Sequence, residues 1–205
     1  MSSHILSIGV LIHGKVINRP SKTCKTPYVA DVEIMNENKE KQIVLAHAPS
    51  LGCCGYVDKG QSVYLIPHEN PKTCSHVIHL AHRHEKKHNY IIGVHPKSAE
   101  KIVKQCIQNS YITGLENVQE LKAEQCFLNS RFDFCGIDEN GNNFVLEVKN
   151  VPCGDYEDIF QKERKNRDYS ERAFDSKVAY FPDGYRKKKA DTISPRALYS
   201  RTSKT

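Results

Sequence analysis

Residues 130–151, SRFDFCGIDENGNNFVLEVKNV, constrain this chain more than any other stretch. Two runs of β-forming residues flank Asp138-Glu139-Asn140-Gly141-Asn142, and a cluster of turn formers between such runs folds the chain back into an antiparallel hairpin. Side chains alternate along the second run, so Val145, Glu147 and Lys149 share one face while Phe144, Leu146 and Val148 share the other. Asp133 on the partner strand reaches the same place. Two carboxylates roughly 4–6 Å apart repel each other as anions, and a hard Mg²⁺ or Mn²⁺ relieves that repulsion with the oxygen-rich coordination it prefers. A metal held there polarises a phosphodiester, and a lysine two residues on orients water or offsets developing negative charge. The pattern therefore predicts Asp133 and Glu147 as metal ligands and Lys149 as their catalytic partner. The competing reading is a hairpin with one wet face, where an Asp and a Glu-x-Lys are ordinary surface groups, and spacing alone favours it because acidic-x-Lys triplets are common.

The chain of 205 residues, 39% hydrophobic and 26% charged, has the material for two small cores and no composition of wholesale disorder. Residues 5–17, 28–35, 42–47, 62–66 and 75–81 read as strands, with a turn at 36–39. That pattern suits an OB barrel or another small β-barrel. The charged, His-rich stretch 83–89 marks a domain boundary. Beyond it, 90–94 reads as a strand, and Pro96 with Ser98 opens a helix whose Ala99, Ile102, Val103, Cys106 and Ile107 form one stripe. Glu100 fits the favourable end of the helix dipole and stays outside the catalytic set. The expected division is a barrel over 1–84, a second domain over 89–193 and a flexible tail over 194–205.

No run approaches the length of a membrane span, and the start Met1-Ser2-Ser3-His4 lacks the pattern of a secretory signal, so an intracellular location, cytoplasmic or nuclear, is expected. The eight cysteines are then expected as free thiols, the adjacent Cys53 and Cys54 included. Cys74, His76, His79, His82, His84 and His88 raise the question of zinc. Alternation answers against it: in an extended strand His76 and His82 share a face and His79 points the other way.

The formal net charge of +6 is modest but unevenly placed. Lys162 and Arg164 lead one basic cluster, and Arg186, Lys187 and Lys188 form a second with fewer opposing acids. Such clusters attract a phosphate backbone through counterion release, which gives affinity with little sequence information.

Several blocks, in order, resemble one known family. Leu45-Ala46-His47-Ala48-Pro49 with Gly52 is similar to an AHCPNTG segment, and Asn70-Pro71-Lys72 to an NPK turn. Ser130-Arg131-Phe132-Asp133-Phe134, Leu146-Glu147-Val148-Lys149-Asn150-Val151 and Ala179-Tyr180-Phe181-Pro182-Asp183 complete the series. Together they resemble the sugar fermentation stimulation (SfsA) family. The resemblance implies an OB-like β-barrel followed by a mixed-sheet α/β domain related to the PD-(D/E)xK nucleases, with DNA, expected to be double-stranded, as partner. The acidic and lysine positions of that nuclease pattern fall on Asp133, Glu147 and Lys149. The chain departs from the family at Ala48, Ser50 and Leu51, which replace Cys, Asn and Thr, and it ends before the family's final sheet elements. That ending predicts an open sheet edge able to recruit a second copy. It also keeps a second reading in play, a non-enzymatic DNA-binding or regulatory protein with an inactive nuclease-like domain.

Overall fold

The structure is a computed structural model that describes residues 4–50, 53, 55–85, 88–127, 130–152, 179–180 and 192–193. It is mostly β with one helix among the described residues. Two compact units emerge, one drawn from Met1–Val10 and His95–Lys149, the other from Leu11–Val94 and Asn150–Thr205.

The larger unit is built on β1 (Ile12–Asn18), β2 (Val29–Met35), β3 (Lys41–His47), β4 (Ser62–Pro67), β5 (His76–Glu85) and β6 (His88–Gly93). These strands form one sheet in the order β3-β2-β1-β4-β5-β6. A short parallel pairing of β3 with β5, Ala46↔His76 and His47↔Val77, links the first five strands into a circuit of pairings. Period-two alternation turns Val16, Val32, Val44, Val63 and Leu65 inward, where with Ile78, Ala81 and Val94 they form the core. Gly14 belongs to that inner face because a Cβ there would lie 2.7 Å from Val32 and 2.9 Å from Leu65. Asp31 is the core's one buried acid among the described residues. Its carboxylate accepts hydrogen bonds from Ser21 Oγ at 2.6 Å, the Lys22 backbone N–H at 3.0 Å and Asn18 Nδ2 at 3.2 Å.

The β2–β3 hairpin turns where sequence placed it. Asn36 Oδ1 accepts the Glu40 N–H at 2.8 Å, and Lys39 takes the left-handed conformation at φ 63°. The stretch 83–89 differs from expectation. Instead of separating two bodies it spans the end of β5 and the start of β6, which pair from Leu80↔Gly93 to Glu85↔His88, and the units divide after Val94. Charged and imidazole residues are compatible with these strands, because a strand with solvent on one side tolerates polar residues without breaking. At the start of the chain, the strand expected from residue 5 begins only at Ile12.

The smaller unit holds α1 (Pro96–Gln108) and an antiparallel sheet of β7 (Glu120–Phe127), β8 (Ser130–Ile137) and β9 (Asn143–Leu146), in the order β7-β8-β9. Pro96 opens the helix, where a missing N–H costs nothing. The helix closes through a left-handed Ser110 at φ 56°: Tyr111 N–H bonds Cys106 O at 2.8 Å, and Ser110 N–H bonds Ile107 O at 3.0 Å. Ile107 and Phe134 are buried, whereas Ile102, expected on the apolar stripe, is 42% exposed. Gly136 lets β7, β8 and β9 approach closely, since a Cβ there would meet Glu120 O at 2.1 Å and the Phe144 ring at 2.7 Å. A separate two-stranded pairing joins β10 (Ala179–Tyr180) to β11 (Thr192–Ile193). The tail expected over 194–205 lies outside the described residues.

Candidate functional site

The β8–β9 turn is held by the acid at its first position. Asp138 Oδ1 accepts the N–H groups of Asn140 at 2.9 Å and Asn142 at 2.8 Å, while Gly141 supplies φ 82°. Hydrogen bonds from the Asn142 backbone and side chain hold the Asp138 carboxyl below the usual carboxylate range. This turn sets the register Ile137↔Asn143 through Phe134↔Leu146.

One step beyond that register stand Asp133 and Glu147. The ladder ends at Leu146, yet the alternation of exposed and half-buried residues continues through Lys149. Asp133 is half-buried, and its Oδ2 accepts the Val148 backbone N–H at 2.7 Å, between the two other predicted site residues. Glu147 and Lys149, each with a side chain 43% exposed, form an ion pair through Glu147 Oε1 and Lys149 Nζ. Asp133 is thus tied to the backbone of the Glu-x-Lys segment, and the two charged side chains of that segment are tied to each other.

A second set of charges on this unit is not apparent from motif reading. Lys97 Nζ bridges Glu100 Oε2 at 2.7 Å and Glu124 Oε1 at 2.8 Å, and Arg131 pairs with Glu124. Between the pairs Ala123↔Phe134 and Gln125↔Phe132 the β7–β8 ladder skips one position, where Glu124 and Asp133 fall. Glu124 adopts φ 55° at that break. Glu100, expected to favour the helix dipole, lies beyond the first turn of α1 and instead pairs with Lys97, which links it to β7. The signal available in sequence was the spacing of Lys97 and Glu100, three residues apart on one helix face.

Among the described residues, no group of three or more His, Cys, Asp and Glu side chains is arranged to hold a metal ion. Free thiols are found at Cys24, Cys53, Cys74, Cys106, Cys126 and Cys135. Lys162, Arg164, Arg186, Lys187 and Lys188 lie outside the described residues. No helix among the described residues is long and apolar enough to cross a membrane.

Residues 97–160, which contain α1 and the hairpin, match the family model described as the sugar fermentation stimulation protein RE domain. The hairpin unit is thus similar to that domain. The chain is 32% identical over 144 residues to the sugar fermentation stimulation protein homolog of Pelagibacter ubique, covering 69% of this chain and 56% of that protein. It is 29% identical over 152 residues to the homolog of Clostridium novyi, covering 73% of this chain and 60% of that protein. The chain therefore spans a little over half the length of these curated relatives. The structure of Pyrococcus furiosus SfsA in complex with Ca²⁺ has the same fold, with a TM-score of 0.59 at 18% identity over 80% of this chain and 68% of that one. The resemblance to the sugar fermentation stimulation proteins holds in domain, in sequence and in fold.

Proposed function

We propose that this chain is a DNA-binding protein of the sugar fermentation stimulation type whose smaller unit is a PD-(D/E)xK-like nuclease fold with a metal-dependent phosphodiester-cleaving site at Asp133, Glu147 and Lys149. The observation that carries the reading is the 2.7 Å bond from the Val148 N–H to Asp133, which brings a carboxylate on one strand to the Glu-x-Lys segment of the next. The donors suit the chemistry. Two carboxylates are hard oxygen ligands, and Mg²⁺ or Mn²⁺ is commonly held by one or two carboxylates, with water and substrate phosphate completing the shell. The Ca²⁺ in the Pyrococcus furiosus protein agrees with an oxygen-ligated divalent ion. Bound there, the ion would polarise a phosphoryl oxygen and acidify a coordinated water. Asp133 is oriented by Val148 N–H, and Glu147 holds the Lys149 ammonium beside the site, where it meets the charge that develops on phosphate.

For the larger unit we propose an OB-like barrel that contacts nucleic acid. Its support is the circuit of pairings in which β3 meets β5 in parallel and the other neighbours are antiparallel. The basic clusters at Lys162 and Arg164 and at Arg186, Lys187 and Lys188 supply charge for a double-stranded backbone. A second reading, DNA binding without cleavage, draws on the Glu147–Lys149 ion pair, which engages one proposed metal ligand already.

Binding is tested by titrating labelled duplex DNA across a series of salt concentrations. Replacing Arg186, Lys187 and Lys188 together by Ala should weaken binding and reduce the slope of log K on log salt by about 0.9 for each phosphate no longer neutralised, without changing sequence preference. An unaltered slope removes this cluster from the DNA surface.

A further inference from the structure

β5 carries two imidazoles two residues apart, His82 and His84. Ala81 on β5 and its partner Ile92 on β6 are buried, so alternation puts His82 and His84 on the outer face, opposite Ile91 and Asn89. That face meets solvent: Ile91 is 54% exposed, His84 is exposed and His82 half-buried. Alternate residues of a strand are about 6.8 Å apart along its axis. The two rings close most of that gap, with centroids 4.0 Å apart. Both residues border an open cleft of about 510 Å³, which gives a dissolved ion a way in.

The hydrogen bond made by His84 decides which of its nitrogens is the donor atom. Its Nδ1 lies 2.6 Å from Asn89 Oδ1, and an amide oxygen only accepts, so Nδ1 carries the hydrogen and the neutral ring keeps its lone pair on Nε2. A partner on one ring nitrogen that orients the other is the usual support of a metal-binding histidine. Metal–imidazole bonds are about 2.0–2.1 Å long, so two nitrogens at right angles on one ion sit about 3 Å apart. Rings that are already neighbours reach that span by side-chain rotation. Two neutral imidazoles favour the late first-row divalent ions, whereas Mg²⁺ prefers carboxylate oxygens. Among the described residues no group of three ligating side chains surrounds a metal position, so water would complete the shell here and the ion would exchange.

We propose that His82 and His84 form an exchangeable chelate for a late first-row divalent ion, Ni²⁺, Cu²⁺ or Zn²⁺, on the outer face of β5. The site differs from the Asp133 and Glu147 pair in residues and in metal preference, and it stands whether or not the hairpin cleaves DNA. The test is nuclear magnetic resonance of the full chain carrying ¹⁵N-labelled histidine, with substoichiometric Ni²⁺, a paramagnetic ion that broadens the imidazoles it binds. Of the ten histidines, His82 and His84 should broaden together and first. Titration calorimetry with Ni²⁺ then compares the parent with His82→Ala, His84→Ala and Glu147→Ala, thermal melting showing which variants keep the fold. Each imidazole variant should bind at least about tenfold more weakly, because loss of even a supporting group around a metal costs about 10–100-fold. Glu147→Ala should match the parent, and excess Mg²⁺ should not displace the ion. The proposal is overturned if His82 and His84 stay sharp while other imidazoles broaden, or if all ten broaden together. It is equally overturned if a folded His82→Ala or His84→Ala binds Ni²⁺ as tightly as the parent, if Glu147→Ala loses binding as they do, or if Mg²⁺ displaces the ion. The resonance experiment needs no variant, so a misfolded substitution leaves the test intact.

Discussion

Asp31→Ala should destabilise the larger unit by about 2–5 kcal/mol, since each buried donor left unsatisfied costs roughly 1–3 kcal/mol. The Ser21 hydroxyl, with its residue only 2% exposed, loses its 2.6 Å acceptor, and the Lys22 N–H loses its own. Asp31→Asn should recover part of the loss, because its carbonyl can still accept from the Lys22 N–H and Asn18 while its NH₂ faces the Ser21 hydroxyl, which accepts as well as donates. Chemical denaturation followed by circular dichroism reads the change. The same group gives the fold an acid limit. Burial opposes the charged carboxylate, but hydrogen bonds from Lys22, Ser21 and Asn18 outweigh it and leave the pKa below its ordinary value. A folded pKa depressed in this way contributes stability that is fully present above the unfolded value of about 3.9 and is lost as pH falls through the folded value. The parent should therefore lose stability below about pH 4 more steeply than Asp31→Ala. Parallel acid profiles would show that Asp31 is not the group responsible.

The second large effect belongs to the hairpin. Asp133→Ala and Glu147→Ala should each reduce divalent-metal affinity by roughly 100-fold or more, because loss of even a supporting group around a metal costs about 10–100-fold and a ligand costs more. Mn²⁺ titration followed by electron paramagnetic resonance measures this directly. The two variants should separate in stability. Asp133→Ala strips the acceptor from the Val148 N–H and loosens the end of the hairpin, whereas the polar partner of Glu147 among the described residues is Lys149, in an exposed ion pair worth about 0–1 kcal/mol. A Glu147→Ala protein with the parent's metal affinity would remove that carboxylate from the site.

Local chemistry made parts of this molecule readable. The turn at 138–142 could be read because Asp138 supplies acceptors to its own backbone and Gly141 the positive φ, both properties of residue type. The β2–β3 turn and the start of α1 at Pro96 follow from equally local rules. β7 was not legible: Glu-Leu-Lys-Ala-Glu-Gln-Cys-Phe has the composition of a helix and is a strand because β8 pairs with it along its length. The same pairing, with its break at Glu124, assembles the Lys97–Glu124–Arg131 contacts, which no spacing in the chain announces. The β5–β6 hairpin was hidden for another reason. Charged and imidazole side chains between 82 and 90 resemble a linker until the partner strand is known. The Arg83–Tyr56 hydrogen bond was unreadable for the same cause, since Tyr56 comes from a loop 27 residues earlier.

The most direct test of the nuclease reading is incubation of the pure chain with supercoiled plasmid in EDTA, in Mg²⁺ and in Mn²⁺, beside Glu147→Ala under the same conditions. The account predicts nicked or linear products with either metal, none in EDTA, and at least a 100-fold loss of rate in the folded variant, on the order of what removing a group that stabilises the transition state costs. An intact plasmid in every lane from a preparation that binds DNA, or cutting that survives Glu147→Ala, would contradict it.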